Sequence, residues 1–326
     1  MKIISPMPTG NGAYIIHKLL EENISGYQVL GYNPLLTLFP PSIYCLTRNH
    51  HAQIIHTTPD YAIYVNSGKA SKVLTFHGYM LDSEISSKAP FLQRLHYKTD
   101  LRWNTKKALK SARAVTAVSQ YLADLVKMDL NYNKDIKVIN NGVDLDRFTP
   151  DKRKTKEIKV LYAGNPRKLK GVELLPKIAA ELEGTGISIY YTCGLRNINS
   201  FKPVNNLISV GKVEYEKMPK LYNDMDILLF PTLREGFGLV VAEAMACGLP
   251  VISTNCSSIP ELIDDGKGGY LCSVNDYQAM VEKIKILAVS HELRDRMGEY
   301  NREKAERLYS LKSMVSNYNE LYESIL

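Results

Sequence analysis

Short apolar runs alternate along this chain with longer stretches of helical period. In the first half the runs are 2–5, 27–31, 53–56, 73–77, 114–118 and 136–139. In the second half they are 159–163, 188–192, 207–210, 226–230, 251–253 and 269–271. Strand-like runs separated by helical patterns are the signature of a parallel α/β architecture. The run Asp226-Ile-Leu-Leu-Phe230 reads as a strand buried on both faces, as the central strands of parallel sheets are.

At 326 residues the chain is long for one core and suits two domains. The pattern breaks at Asn141-Gly-Val-Asp-Leu-Asp-Arg-Phe-Thr-Pro150, a turn-rich stretch followed by the charged DKRKTKEIK. Each half opens with a strand and a glycine-containing loop. The expected fold class is therefore α/β, with two Rossmann-like domains facing across a cleft: 1–148, a linker over 149–157, and 158–310.

Composition changes this picture little. With 45% hydrophobic and 23% charged residues the chain reads as a soluble globular protein. No apolar run approaches the roughly 20 residues of a membrane span. The opening MKIISPMPTGNG reads as a first strand rather than a signal peptide. Cysteines at 45, 193, 247, 256 and 272 contain no C-x2-C pair, which argues for a reducing, cytoplasmic setting. The net charge of +7 is uneven: residues 1–150 hold 17 Lys+Arg against 11 Asp+Glu, and the second half is nearly balanced.

The richest chemistry lies in Glu235-Gly-Phe-Gly-Leu-Val-Val-Ala-Glu243, running on as Ala-Met-Ala-Cys-Gly-Leu-Pro-Val251. Glu235 falls at the carboxyl end of a strand, where open α/β sheets bind ligands. Gly236 and Gly238 let backbone approach a ligand closely. N–H groups near Phe237, Gly238 and Leu239 open a helix and suit an anion such as diphosphate. Glu243 lies two helical turns beyond Glu235, within reach of sugar hydroxyls of the same ligand. Together these features point to a nucleotide-sugar site.

From Gly211 to Gly269 the chain resembles glycosyltransferase family 4, retaining enzymes of the GT-B fold. The resemblance rests on E-x7-E, Ala-Met-Ala-x-Gly-x-Pro-Val, Ile259-Pro-Glu261 and Asp265-Gly-x-x-Gly269, and it extends more thinly over 1–150. It implies that the final amphipathic helix, 311–326, returns to complete the first domain. It implies that Gly10 and Gly12 of the loop Pro8-Thr-Gly-Asn-Gly12 face the donor, and that His77 lies near the donor sugar. His50, His51, His56 and His96 have no comparable setting. In Leu161-Tyr-Ala-Gly164-Asn-Pro-Arg167-Lys-Leu-Lys170-Gly171, Lys170 matches the family's phosphate-binding cation. Asn165 stands where the family has Arg, so Arg167 is the candidate replacement. The Gly211-Lys-Val213 loop resembles the one that contacts the base, which places Val213 there. Ser257 and Ser258 replace the family's two glycines.

The resemblance implies a retaining glycosyltransferase that takes a UDP-sugar or GDP-sugar and a glycan or lipid-linked acceptor, with catalytic Glu235, His77 and Lys170. No cofactor and no metal are expected, and no nucleic acid. Two other classes stay in view: a sugar-nucleotide-binding protein without transfer activity, and a DNA-modifying glucosyltransferase of GT-B fold. Arg94, Lys98, Arg102, Lys106 and Lys110 recur at every fourth position of an expected helix. With Arg113, Phe91, Leu95 and Leu109 they form an arc opposite Tyr97, Leu101 and Ala108. That arc over 91–113 suits an anionic membrane surface, giving an expectation of peripheral attachment on the cytoplasmic face.

Overall fold

A computed structural model describes residues 1–48, 51–83, 90–151, 157–165, 167–193 and 204–326. His50 and residues 152–156 of the expected linker lie outside these. The chain divides into two compact units, 1–142 with 311–326, and 143–310.

Among the described residues each unit holds one six-stranded parallel sheet. In the first, β1 (Ile3–Pro8), β2 (Tyr27–Tyr32), β3 (Ile54–Thr57), β4 (Ser71–Phe76), β5 (Ala114–Ala117) and β6 (Lys137–Val138) take the order β2-β1-β3-β4-β5-β6. In the second, β7 (Ile158–Tyr162), β8 (Ile187–Thr192), β9 (Leu207–Gly211), β10 (Ile227–Phe230), β11 (Val251–Thr254) and β12 (Gly269–Cys272) take the order β12-β11-β10-β7-β8-β9. Every expected run is a strand. Ile227 through Phe230 are at most 1% exposed, so β10 is buried on both faces. Ile227 and Leu229 pack with Ile178, Ile189, Ile252 and Met280. Each such side chain contributes about 1.5–3 kcal/mol on burial.

Strand order fixes where a ligand can bind. The second unit lays β8 and β9 on one side of β7, then returns to lay β10 on the other. The sheet's switch point is therefore between β7 and β10, and crevices form there beyond the carboxyl ends. In the first unit the corresponding point lies between β1 and β3.

The second unit begins at Val143, ahead of the expected linker. Phe148 is fully buried with its ring 6.1 Å from that of Tyr222. Arg302 Nη1 donates to the carbonyls of Phe148 (2.6 Å) and Ala246 (2.8 Å), tying this segment into the second unit. The final helix, Leu311–Ile325, belongs to the first unit and buries Met314, Tyr318 and Tyr322 there.

The helix expected over 91–113 is interrupted. Two α-helical pieces, Phe91–His96 and Arg102–Ser111, flank a π-helical turn at Tyr97–Leu101. The extra residue in that turn shifts the register, so the every-fourth spacing does not trace one arc. Leu109 is 1% exposed and belongs to the core. Arg102 pairs with Asp129 at 2.8 Å instead of facing outward. Tyr97, Leu101 and Ala108 are buried as expected.

Candidate active site

Two loops meet at the β7–β10 switch point. Gly171 ends the turn after β7 with a φ of 68°, and a Cβ there would lie 1.8 Å from the Pro231 carbonyl oxygen. No side chain fits, so the turn sits flush against the end of β10. The Leu233 N–H (2.9 Å) and the Thr232 hydroxyl (3.1 Å) both donate to the Leu169 carbonyl. This registration brings the Lys170 ammonium onto the Glu235 carboxylate. The pair is enclosed, with side chains 28% and 16% exposed. Lys170 Nζ also stands 5.3 Å from the centre of the Phe230 ring.

A third loop, after β11, holds the Glu235 segment from the other side. Ser257 Oγ accepts from the Glu235 N–H at 2.9 Å. Ser258 Oγ bonds the carbonyls of Glu235 (3.1 Å) and Phe237 (3.0 Å). Ser257 adopts a φ of 49°, in the left-handed region that costs a side-chain-bearing residue about 1–2 kcal/mol. The family's glycines would avoid that cost, but they carry no hydroxyl to grip the loop.

The Phe237 side chain is core: it is 4% exposed and packs edge-on against Tyr309, 5.6 Å away. Gly238 has a φ of 100°, and a Cβ there would lie 3.0 Å from Leu262 Cδ1. It opens the helix Leu239–Ala246, whose first intrahelical bond runs from the Val241 N–H to the Gly238 carbonyl. The Leu239 and Val240 N–H groups precede that bond, and the helix itself leaves them unpaired. In the same helix Glu243 is 4% exposed and accepts from the Tyr222 hydroxyl at 2.8 Å. Burial pushes its carboxyl up to about 8, and the Tyr222 bond offsets only part of that.

Lys170, Glu235 and Gly238 thus come together around one loop. Glu243 lies further along the helix and makes its bond to Tyr222 rather than to that group. Arg167 is exposed at the start of the Lys170 turn, and Val213 follows the edge strand β9. The expectation of no metal site passes over two Asp-x-Asp spacings, Asp144/Asp146 and Asp224/Asp226. Asp144 Oδ1 accepts from the Asp146 and Arg147 N–H groups, and Asp226 Oδ2 from the Lys159 N–H. Both Asp144 and Asp226 shape backbone.

In the first unit, Gly10 (φ 79°) turns the chain beyond β1, and Asn11 caps the helix Gly12–Asn23 by accepting from the Tyr14 N–H at 2.8 Å. A Cβ on Gly12 would meet nothing within 4 Å. His77 follows β4, and burial lowers its imidazole to about 4. Its Nε2 lies 3.0 Å from Nε2 of His17, and its Nδ1 has no partner among the described residues. Sequence reasoning missed His17 and set His56 aside. The available signal for His17 was its place between Ile16 and Leu20 on the buried face of its helix.

Two family models match in succession. "Glycosyltransferase Family 4" covers residues 4–147, and "Glycosyl transferases group 1" covers 146–304. N-acetyl-alpha-D-glucosaminyl L-malate synthase of Bacillus anthracis is 27% identical over 85% of this chain and 74% of its own length. The capsular polysaccharide biosynthesis glycosyltransferase CapM of Staphylococcus aureus is 27% identical over 68% of this chain and 64% of its own length. Among solved structures, sucrose-phosphate synthase from Thermosynechococcus elongatus superposes with a TM-score of 0.82 over 100% of this chain and 99% of its own, at 16% identity. Anabaena HepE in complex with UDP-glucose gives 0.79 over 99% and 100%, at 18% identity. The two matched models, the paired parallel sheets and these neighbours together make the chain a glycosyltransferase of family 4, built on the GT-B fold.

Proposed function

We propose that the chain transfers a sugar, with retention of configuration and without a metal, from a UDP- or GDP-sugar to a glycan or lipid-linked acceptor. The observation that carries this is the Lys170–Glu235 pair at the β7–β10 switch point, beside the opening N–H groups of the helix at Leu239. A diphosphate placed there takes over Lys170, with Arg167 and the helix N-terminus adding positive potential. Glu235, released from its ion pair, accepts from hydroxyls of the transferred sugar. Glu243 takes the ribose, the Val213 loop the base, and the backbone at Phe237 and Gly238 the phosphates. The family resemblance assigns Gly10, Gly12 and His77 to the donor. UDP-glucose in HepE, and UDP with GlcNAc in the pneumococcal O-GlcNAc transferase GtfA, support a nucleotide-sugar donor.

The acceptor oxygen attacks C1 from the face that the diphosphate leaves. The new C1–O bond forms as the bond to phosphate breaks, and a phosphate oxygen receives the acceptor proton. Glu235 as a covalent nucleophile is the disfavoured alternative, since its carboxylate is engaged by the sugar hydroxyls and the Gly236 N–H. With UDP, GDP, ADP and their sugars in turn, the matching ligand is expected to raise the melting temperature, because it binds only the folded chain. NMR of the product should show the donor's anomeric configuration, and chelator should leave turnover unchanged. An inverted product, or activity lost in chelator and restored by magnesium, overturns the corresponding part of the reading.

Peripheral membrane attachment has a narrower basis than the sequence pattern offered. Among the described residues no helix is long and apolar enough to cross a membrane. Trp103 is 60% exposed with Lys107 Nζ 4.8 Å over its ring, and Lys106 and Lys110 are exposed on the same helix. Phe91 and Leu95 are exposed one turn apart. An exposed Trp among lysines suits an interface, each cation adding about 1 kcal/mol on acidic lipid. Flotation with anionic liposomes should recover the wild type and lose a Trp103→Ser/Lys106→Ser/Lys107→Ser variant. Equal recovery of both proteins, or of neither, rejects attachment through this face.

A further inference from the structure

Behind His77 a line of polar side chains runs through the core of the first unit. His17 Nε2 lies 3.0 Å from His77 Nε2. His17 Nδ1 lies 2.6 Å from Ser5 Oγ and 2.7 Å from the Tyr27 hydroxyl. The Tyr27 hydroxyl is also 2.9 Å from His56 Nδ1, which the Tyr322 hydroxyl of the final helix approaches at 2.8 Å. His56 Nε2 in turn meets Thr75 Oγ1 at 2.6 Å. Ser5, His17, His56, Thr75 and Tyr322 are fully buried.

The protons in this line can be counted. Burial first, and repulsion from a neighbouring ring for His17 and His56, keep all three imidazoles neutral, so each carries one N–H. A contact between two Nε2 atoms is a hydrogen bond only if one bears the proton and the other is bare. The tautomers of His17 and His77 are therefore linked. The hydroxyls of Ser5 and Tyr27 converge on His17 Nδ1, and a bare nitrogen there accepts a proton donor from that side. With His17 Nδ1 bare and accepting from one of these hydroxyls, His17 carries its proton on Nε2 and donates to His77 Nε2, whereas a proton on His17 Nδ1 reverses the pair. In the first case the proton of His77 is left on Nδ1, the buried atom without a partner among the described residues. In that arrangement His77 presents a buried, unpaired N–H, whose cost an acceptor that binds there would remove.

We propose that His17 is a positioning residue that holds His77 as its Nδ1–H tautomer, so that His77 donates a hydrogen bond to an oxygen of the bound sugar nucleotide. This rests on the assignment of His77 to the donor. Glutamine at 17 can still donate to His77 Nε2 through its amide, and leucine cannot.

Long-range 1H–15N correlation spectra of histidine-labelled protein read the tautomer of each ring without substrate. The wild type should show His77 protonated at Nδ1 and His17 at Nε2. His17→Gln should keep that state of His77 and stay within about threefold of wild-type kcat. His17→Leu should give mixed tautomers and lose about tenfold, the worth of one hydrogen bond. A wild-type His77 protonated at Nε2 overturns the proposal even if the leucine variant does not fold. Equal turnover in the two variants, both folded, overturns the link to catalysis. The spectrum is independent of sugar transfer, so failure of the donor assignment shows separately, as His77→Ala retaining wild-type turnover.

Discussion

Glu235→Gln is expected to lower kcat by about 10²-fold, and Lys170→Met by about 10²- to 10³-fold, the cost of removing one preorganised charge from a transition state. Both side chains sit where β7 and β10 part, and each is the other's partner in the free protein. Each single variant should also lose stability, by about 1–2 kcal/mol, since an enclosed charge is left without its counterion. The double variant separates the two roles. With both charges gone, the stability penalty should largely disappear, while activity should fall no less than in the worse single variant. Melting curves and steady-state kinetics on the three proteins provide the check. Wild-type turnover in Glu235→Gln, or activity recovered in the double variant along with stability, would make the pair a structural ion pair and remove both residues from the reaction.

The strands were readable because the central ones are buried on both faces, so apolar runs such as Ile227–Phe230 stand out without regard to partners. The strand end at Glu235 was readable for the same reason. What escaped depended on atoms brought together from distant parts of the chain. The π-helical turn at 97–101 shifts the register by one residue, and no periodicity argument anticipates it. In the sequence Ser257 and Ser258 stood only as replacements of the family's two glycines. Only the fold puts their hydroxyls on the Glu235 and Phe237 backbone. His56 looked unremarkable at the end of a short run, yet three elements converge on it: β2 through Tyr27, β4 through Thr75, and the final helix through Tyr322.

Glu243→Gln should stabilise the free protein and weaken donor binding together. The carboxyl titrates near 8 in the folded chain, against an ordinary value of 4.5. Between those pH values the folded chain holds a proton that the unfolded chain releases, so stability falls as pH rises from 4.5 and is lowest above 8. The cost reaches about 3 kcal/mol at pH 7. Glutamine keeps an oxygen for the Tyr222 hydroxyl and has no charge to bury, so the variant should gain about 1–3 kcal/mol at pH 7–8 and nothing at pH 4.5. A ribose hydroxyl donates best to the ionised carboxylate. The wild type should therefore bind donor more tightly as pH passes 8, and the variant should show no such rise. At pH 9 the variant should bind about 10- to 100-fold more weakly, the cost of an unmet hydroxyl. Calorimetric titrations and melts from pH 5 to 9 read both effects. A stabilised variant that binds donor at pH 9 as the wild type does would leave the carboxyl a partner of Tyr222 alone and take Glu243 out of the donor site.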